Sequence, residues 1–161
     1  MALTSDIKIT RYGSWDGHEY DAQPMGASVT VYRGSLATTN ASGDIINANN
    51  SDNTSTCWGL IDHVGPNPGV IDGGPGITNS GSAGAIQVEI ATGTFFLASS
   101  TGSDQLSQAT VGKVVYVYNE NTVAATGSGS RCVAGVHVAV DTTQPGGYAI
   151  RLGSNQSTGG H

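Results

Sequence analysis

Residues 112–126, GKVVYVYNENTVAAT, restrict the possible fold more than any other stretch. In an extended chain Val114, Tyr116 and Tyr118 fall on one face, and Val115 and Val117 on the other. A strand with one solvated face is polar at every second residue. This one is apolar on both faces and must be covered on both sides. Asn119–Glu120–Asn121 supplies a turn, and Thr122–Ala125 supplies the return strand. The hairpin holds one Lys and one Glu but no His, Cys or Ser, so it offers structure and contact rather than chemistry.

The rest of the chain repeats this grammar of short apolar runs between turns. DIKITRY sets Ile7 and Ile9 against Lys8 and Thr10, and ASVTVYRG sets Val29 and Val31 against Thr30 and Tyr32. A strand is expected around Asp44–Ala48, and CWGLIDHVG (57–65) reads as a short buried strand. In AIQVEIATGTFFLAS, Ile86, Val88 and Ile90 share a face; Thr92 and Gly93 mark a bend, and Phe95 to Leu97 form a second strand. A short helical turn is expected at Gln105–Ala109. CVAGVHVAVD predicts a strand with Val136, Val138 and Val140 inward, and GGYAIRLG closes the sheet. TSTCWGLIDHV and GSRCVAGVHVAV echo each other: a Ser-bearing turn, then Cys, then Gly, then an apolar strand.

Composition supports an all-β fold, a small barrel or sandwich. Glycine occurs 24 times, and good helix formers are scarce. The length favours one domain. It divides into an N-terminal arm with the first strands (1–35), a core (36–153) and a flexible tail (154–161). Within the core, residues 66–85 carry three of the five prolines and read as a long surface loop.

Charge excludes several partners. The net charge is −6 and the six Lys and Arg are scattered singly. Neutralising a phosphate backbone needs clustered cations, so neither nucleic acid nor an acidic membrane surface is an expected partner. No apolar run approaches the ~20 residues of a membrane span. The start, MALTSDIKIT, lacks the basic and apolar regions of a signal peptide, which predicts synthesis and folding in a cytoplasm. In that setting Asn40, Asn49, Asn53 and Asn155 are chance glycosylation sequons. Cys57 and Cys132 read as buried thiols, with a mutual disulfide as the alternative.

Chemistry-bearing patterns are sparse. No G-x-S-x-G elbow and no phosphate-loop lysine occur, and the glycine runs at 73–76 and 81–84 read as turns. WDGHEYD (15–21) gathers Asp16, His18, Glu19 and Asp21 but lacks the D-x-[DN]-x-[DN]-G spacing of a calcium loop. A solvated or interface loop fits it better than a metal site. His63 and His137 lie in apolar strands, where hydrogen-bonded core or interface histidines are the common case. The expectation is a non-enzymatic chain with no cofactor and no metal.

The segments VEIATGTFFLA, VGKVVYVYNENTVAAT, RCVAGVHVAVD and GGYAIRLG together carry a family resemblance. They resemble the head-decoration, or capsid cement, proteins of tailed bacteriophages. The matching positions are Val88 to Phe95, Val111 to Val117, Thr122, Ala134 to Asp141 and Tyr148 to Gly153, with Gly59–Asp62 fitting an earlier strand. The resemblance implies a structural protein on the outer surface of the virion, made in the host cytoplasm. It would bind the major capsid protein of the expanded head and itself, as a homotrimer or a dimer, and stabilise the shell against DNA pressure. Family contacts vary too much to transfer residue by residue. The candidate capsid or subunit contacts are therefore the apolar and aromatic residues Ile7, Ile9, Tyr12, Trp15 and Tyr20 of the arm, with Tyr116 and Tyr118 of the hairpin. The rival expectation is a glycan- or receptor-binding module of a tail fibre or spike, with Trp15 or Trp58 as an aromatic platform.

Overall fold

The computed structural model describes residues 10–11, 19–48, 55, 57–64 and 76–152. They form an all-β fold: a small barrel with a second sheet growing from one of its strands. The strands are β1 (Thr10–Arg11), β2 (Glu19–Pro24), β3 (Thr30–Val31), β4 (Leu36–Thr39), β5 (Ile45–Asn47), β6 (Gly59–Val64), β7 (Ile77–Thr78), β8 (Gln87–Ser99), β9 (Val114–Val117), β10 (Thr122–Ala124), β11 (Val133–Val140) and β12 (Tyr148–Leu152).

The barrel is a ring of five strands. β8 pairs antiparallel with β12, β12 with β11, β11 with β9, and β9 with β10. β10 then returns to β8 in parallel, with Thr122 opposite Ala98 and Val123 opposite Ser99. Closure satisfies the backbone bonds that an open sheet leaves at its edges. Phe95, Leu97, Val115, Val117, Val123, Ala134, Ile150 and Leu152 fill the interior, each at most 3% exposed. Leu106, from the loop after β8, joins the same cluster at 1% exposure.

The first half of β8 belongs to the second sheet. Ala91 pairs with Tyr20 of β2 on one edge and Leu60 of β6 on the other, and β6 continues to β4 and β5. The short β3–β7 pair lies beside this sheet. Met25, Val31, Ala37, Ile45, Ile61, Val88 and Ile90 form its core, with Val29, Trp58, Ile77 and Ile86 partly buried against them. Within the segment read as arm and first strands, residues 19–31 are thus built into a sheet and its core.

The hairpin, the strand at Asp44–Ala48, the strand after Cys57 and the closing strand all appear where the alternation places them. Four expectations need correction. The bend at Thr92–Gly93 does not divide the segment: β8 runs unbroken for 13 residues, with Gly93 accommodated at φ +128°. In β11 the buried residues are Ala134, Gly135 and His137, while Val136, Val138 and Val140 are half-buried. Irregular register between Val133 and Gly135 and between His137 and Ala139 reverses the phase that strict alternation predicts. The helical turn at Gln105–Ala109 is replaced by two 3₁₀ turns, Gly102–Asp104 and Gln108–Thr110, with the buried Leu106 between them. Finally, the described part of the 66–85 loop is not a pure surface excursion. It contains β7, and Asn79 is 1% exposed, donating to the carbonyls of Met25 (3.2 Å), Gly26 (3.0 Å) and Ser82 (3.0 Å).

The Cys–Gly–strand echo has a structural counterpart. Cys57 and Cys132 are both buried in the barrel core as free thiols, in keeping with the thiol reading. Gly59 and Gly135 follow, and each backs onto a neighbouring strand. A Cβ on Gly59 would lie 2.3 Å from the Ala91 carbonyl oxygen, and one on Gly135 would lie 2.1 Å from that of Arg151. Both strands then carry a register irregularity next to a histidine, His63 or His137.

Candidate functional site

The described candidate contact residues sit on the barrel hairpin and on β2. Ile7, Ile9, Tyr12 and Trp15 lie outside the described residues, as do Asp16 and His18 of the WDGHEYD cluster. Tyr20 is placed on β2, paired with Ala91 of β8. Tyr116 lies on β9 opposite Ala124 of β10 and Val133 of β11, and Tyr118 follows the strand. The structure therefore groups the two hairpin tyrosines on the barrel and gives Tyr20 a separate place on the second sheet.

The outer face of the hairpin is partly covered by the chain itself. Val115 and Val117 are fully buried inward, whereas Val114, Tyr116 and Tyr118 are half-buried. The loop between β10 and β11 folds back over the rings: the Tyr116 ring lies against Gly127, where an added Cβ would come within 3.0 Å of its Cε1. The Arg131 guanidinium stands 4.8 Å above the Tyr118 ring. A cation over an aromatic face is attracted by the ring quadrupole. The two-sided apolar pattern is thus met on one side by the barrel core and on the other by the loop 126–131.

A polar clasp holds that loop. Arg131 Nη1 donates to Asp104 Oδ2 at 2.9 Å and to the Thr126 carbonyl at 3.0 Å. The Thr126 hydroxyl donates to Asp104 Oδ1. The Ala125 N–H donates to the Asp104 carbonyl at 2.8 Å, as does the Ser100 hydroxyl at the same distance. Asp104 therefore links the loops after β8 and β10. The Thr126 hydroxyl first, and the Arg131 guanidinium second, hold its carboxyl below the usual carboxylate range. Nothing local in the sequence singles out Asp104 or Arg131, because residues 27 positions apart carry no local signal of pairing.

His137 and the two cysteines are buried. His137 is fully buried, with Nδ1 2.9 Å from the Thr110 hydroxyl and Nε2 3.1 Å from the Ala139 carbonyl, as expected of a bonded core histidine. Burial raises the Cys57 thiol pKa far above the ordinary range, and the neighbouring Cys132 adds to the effect. Among the described residues no three His, Cys, Asp or Glu side chains gather as a metal site, and no helix is long and apolar enough to cross a membrane.

Comparison with protein-family models, with curated proteins and with solved structures yields no match.

Proposed function

We propose that this chain is a capsid-decoration protein: a structural subunit that binds the outside of an expanded phage head and braces it against internal DNA pressure. One observation carries the reading. The segments that resemble the decoration family are scattered over 66 positions of sequence, from Val88 to Gly153. Their described residues lie mostly along β8, β9, β10, β11 and β12, the strands of the barrel ring, and the earlier match at Gly59–Asp62 lies on β6, which pairs with β8. The resemblance thus follows strands that pair edge to edge rather than unrelated ones.

The physical character of that unit suits the role. Its core is closed and apolar, its buried polar groups are bonded within the chain, and its loops are clasped to the barrel. A cement subunit needs a rigid body and a contact surface with few charges to desolvate. The half-buried Val114, Tyr116 and Tyr118, which share their face with the loop 126–131 and Arg131, offer a contact for the capsid or for a second copy. The proposed assembly is a homotrimer that contacts the major capsid protein.

Cosedimentation of the purified chain with undecorated expanded heads tests the reading. Saturable binding at a fixed ratio to the major capsid protein, with improved survival of heat, is the expected result. No binding to heads contradicts it, and a glycan screen would then test the fibre or spike alternative.

A further inference from the structure

His137 stands at the centre of a hydrogen-bond chain that contains one proton too few. Its Nε2 is 3.1 Å from the Ala139 carbonyl, which can only accept, so Nε2 carries a hydrogen. Its Nδ1 is 2.9 Å from Thr110 Oγ1. That same hydroxyl accepts from the Ser107 N–H at 3.0 Å and lies 2.8 Å from the Ser107 carbonyl. In the neutral imidazole Nδ1 is bare, and the single Thr110 hydroxyl hydrogen has two competing acceptors, Nδ1 and the Ser107 carbonyl. In the imidazolium Nδ1 carries its own hydrogen and donates to Thr110, which frees the Thr110 hydrogen for Ser107. All the contacts are then satisfied together.

We propose that His137 is a proton-operated latch: its protonation state decides whether the Thr110 hydroxyl donates to the barrel or to its own loop. The loop end is the capping box of the 3₁₀ turn Gln108–Thr110, where Ser107 and Thr110 cap each other. The barrel end is fixed, because the His137 N–H donates to the Lys113 carbonyl at 3.0 Å and the Gly112 N–H donates to the His137 carbonyl at 2.7 Å. Protonation tightens the cap of an exposed turn while placing a cation inside the barrel. Gain or loss of that proton therefore reaches the surface at residues 107–110, although His137 itself is 0% exposed.

The surroundings set the direction of the switch. Tyr148 of β12 packs against the imidazole, with ring centroids 5.8 Å apart. The charged side chains on adjoining elements are Lys113, ahead of β9, and Arg151 of β12, both exposed cations. Asp104, in the preceding turn, is committed to Arg131 and Thr126, and Asp141, just after β11, accepts from Thr143. Burial lowers the imidazole pKa below its ordinary value, against the opposing effect of the bonds to Ala139 and Thr110. The neutral form therefore prevails at neutral pH, and the latch operates on the acid side. A folded-state value below the unfolded one means that the stability from neutral His137 is complete above the unfolded value and is lost as pH falls through the folded one.

Long-range proton–nitrogen correlation of the imidazoles in the full chain, from pH 8 downward, tests the latch. The expected spectrum at pH 8 shows His137 as the Nε2–H form. On acidification the Ser107 and Thr110 amide resonances should move with the same midpoint as the imidazole. Thr110→Val should lower that midpoint by about one pH unit, because a charge-assisted bond is worth more than a neutral one. It should also abolish the Ser107 response, and Thr110→Ser should restore both. An Nδ1–H form at pH 8, amides that ignore the titration, an unchanged midpoint in Thr110→Val, or unfolding before Ser107 responds would each overturn the proposal.

Discussion

Gly135→Ala is the most informative single substitution in the barrel. The Cβ it introduces would lie 2.1 Å from the Arg151 carbonyl oxygen, whereas ordinary contact begins at 3.4 Å. The obstacle is backbone, so no side-chain rotation relieves it. β11 and β12 must part by roughly 1 Å, and the pairs Val136–Arg151 and His137–Ile150 lie directly at that point. Losing about two net hydrogen bonds costs about 2 kcal/mol. Loosening the fully buried Ile150 and His137 adds about 1–2 kcal/mol. The gain from a stiffer unfolded chain, about 0.4–1 kcal/mol, offsets part of this. The expected net loss is about 3 kcal/mol, read as a fall in Tm of roughly 6–12 °C. Urea and thermal unfolding followed by circular dichroism provide the assay. Gly129→Ala is the control: its φ is +73° with open space around the position, so it should cost only about 1–2 kcal/mol of backbone strain. A Gly135→Ala protein within 0.5 kcal/mol of the parent, or less perturbed than Gly129→Ala, would refute the β11–β12 approach and the barrel register with it.

Leu106→Ala should cost about 2–4 kcal/mol in urea unfolding although it sits in a loop, because its side chain completes the barrel core at 1% exposure. Asn79→Ala should cost about 2–3 kcal/mol by the same measurement, since it strips donors from the carbonyls of Met25, Gly26 and Ser82. Neither cysteine should react with an aromatic disulfide reagent at pH 8 in the folded protein, and both should react in denaturant; fast native labelling would contradict their burial. The Asp104 carboxyl should titrate below the ordinary aspartate midpoint of about 3.8 in carbon-detected spectra. Its clasp should be present above that value and be lost as pH falls through the lowered one.

Strand existence was legible because period-two alternation survives wherever one face meets a core. Ile86–Val88–Ile90 shows this directly, whereas the hairpin was legible from an apolar run bounded by turn residues. Phase was legible only where no bulge intervened. In β11 one extra residue between Val133 and Gly135 shifts the inward set from Val136 to His137, and nothing in CVAGVHV marks the insertion. Gly93 looked like a breaker, but pairing with Leu152 of β12 holds it within a continuous strand. The polar anchors were less legible still. Asn79 and Asp104 resemble ordinary turn residues, and only long-range partners, Met25 and Arg131 respectively, turn them into fasteners. Leu106 did carry a signal, a lone large apolar residue in a polar loop. The shared outer face of Tyr116 and Tyr118 was legible from their spacing, while the loop 126–131 that half-covers them was not.

The decoration account is tested most directly by imaging expanded heads mixed with the purified chain, using cryo-electron microscopy with icosahedral averaging. The account predicts new density on the outer shell at three-fold or quasi-three-fold positions, into which three copies of the five-stranded barrel fit with their hairpins at a contact. Bare shells at saturating protein concentration, or density only on tail structures, would contradict it.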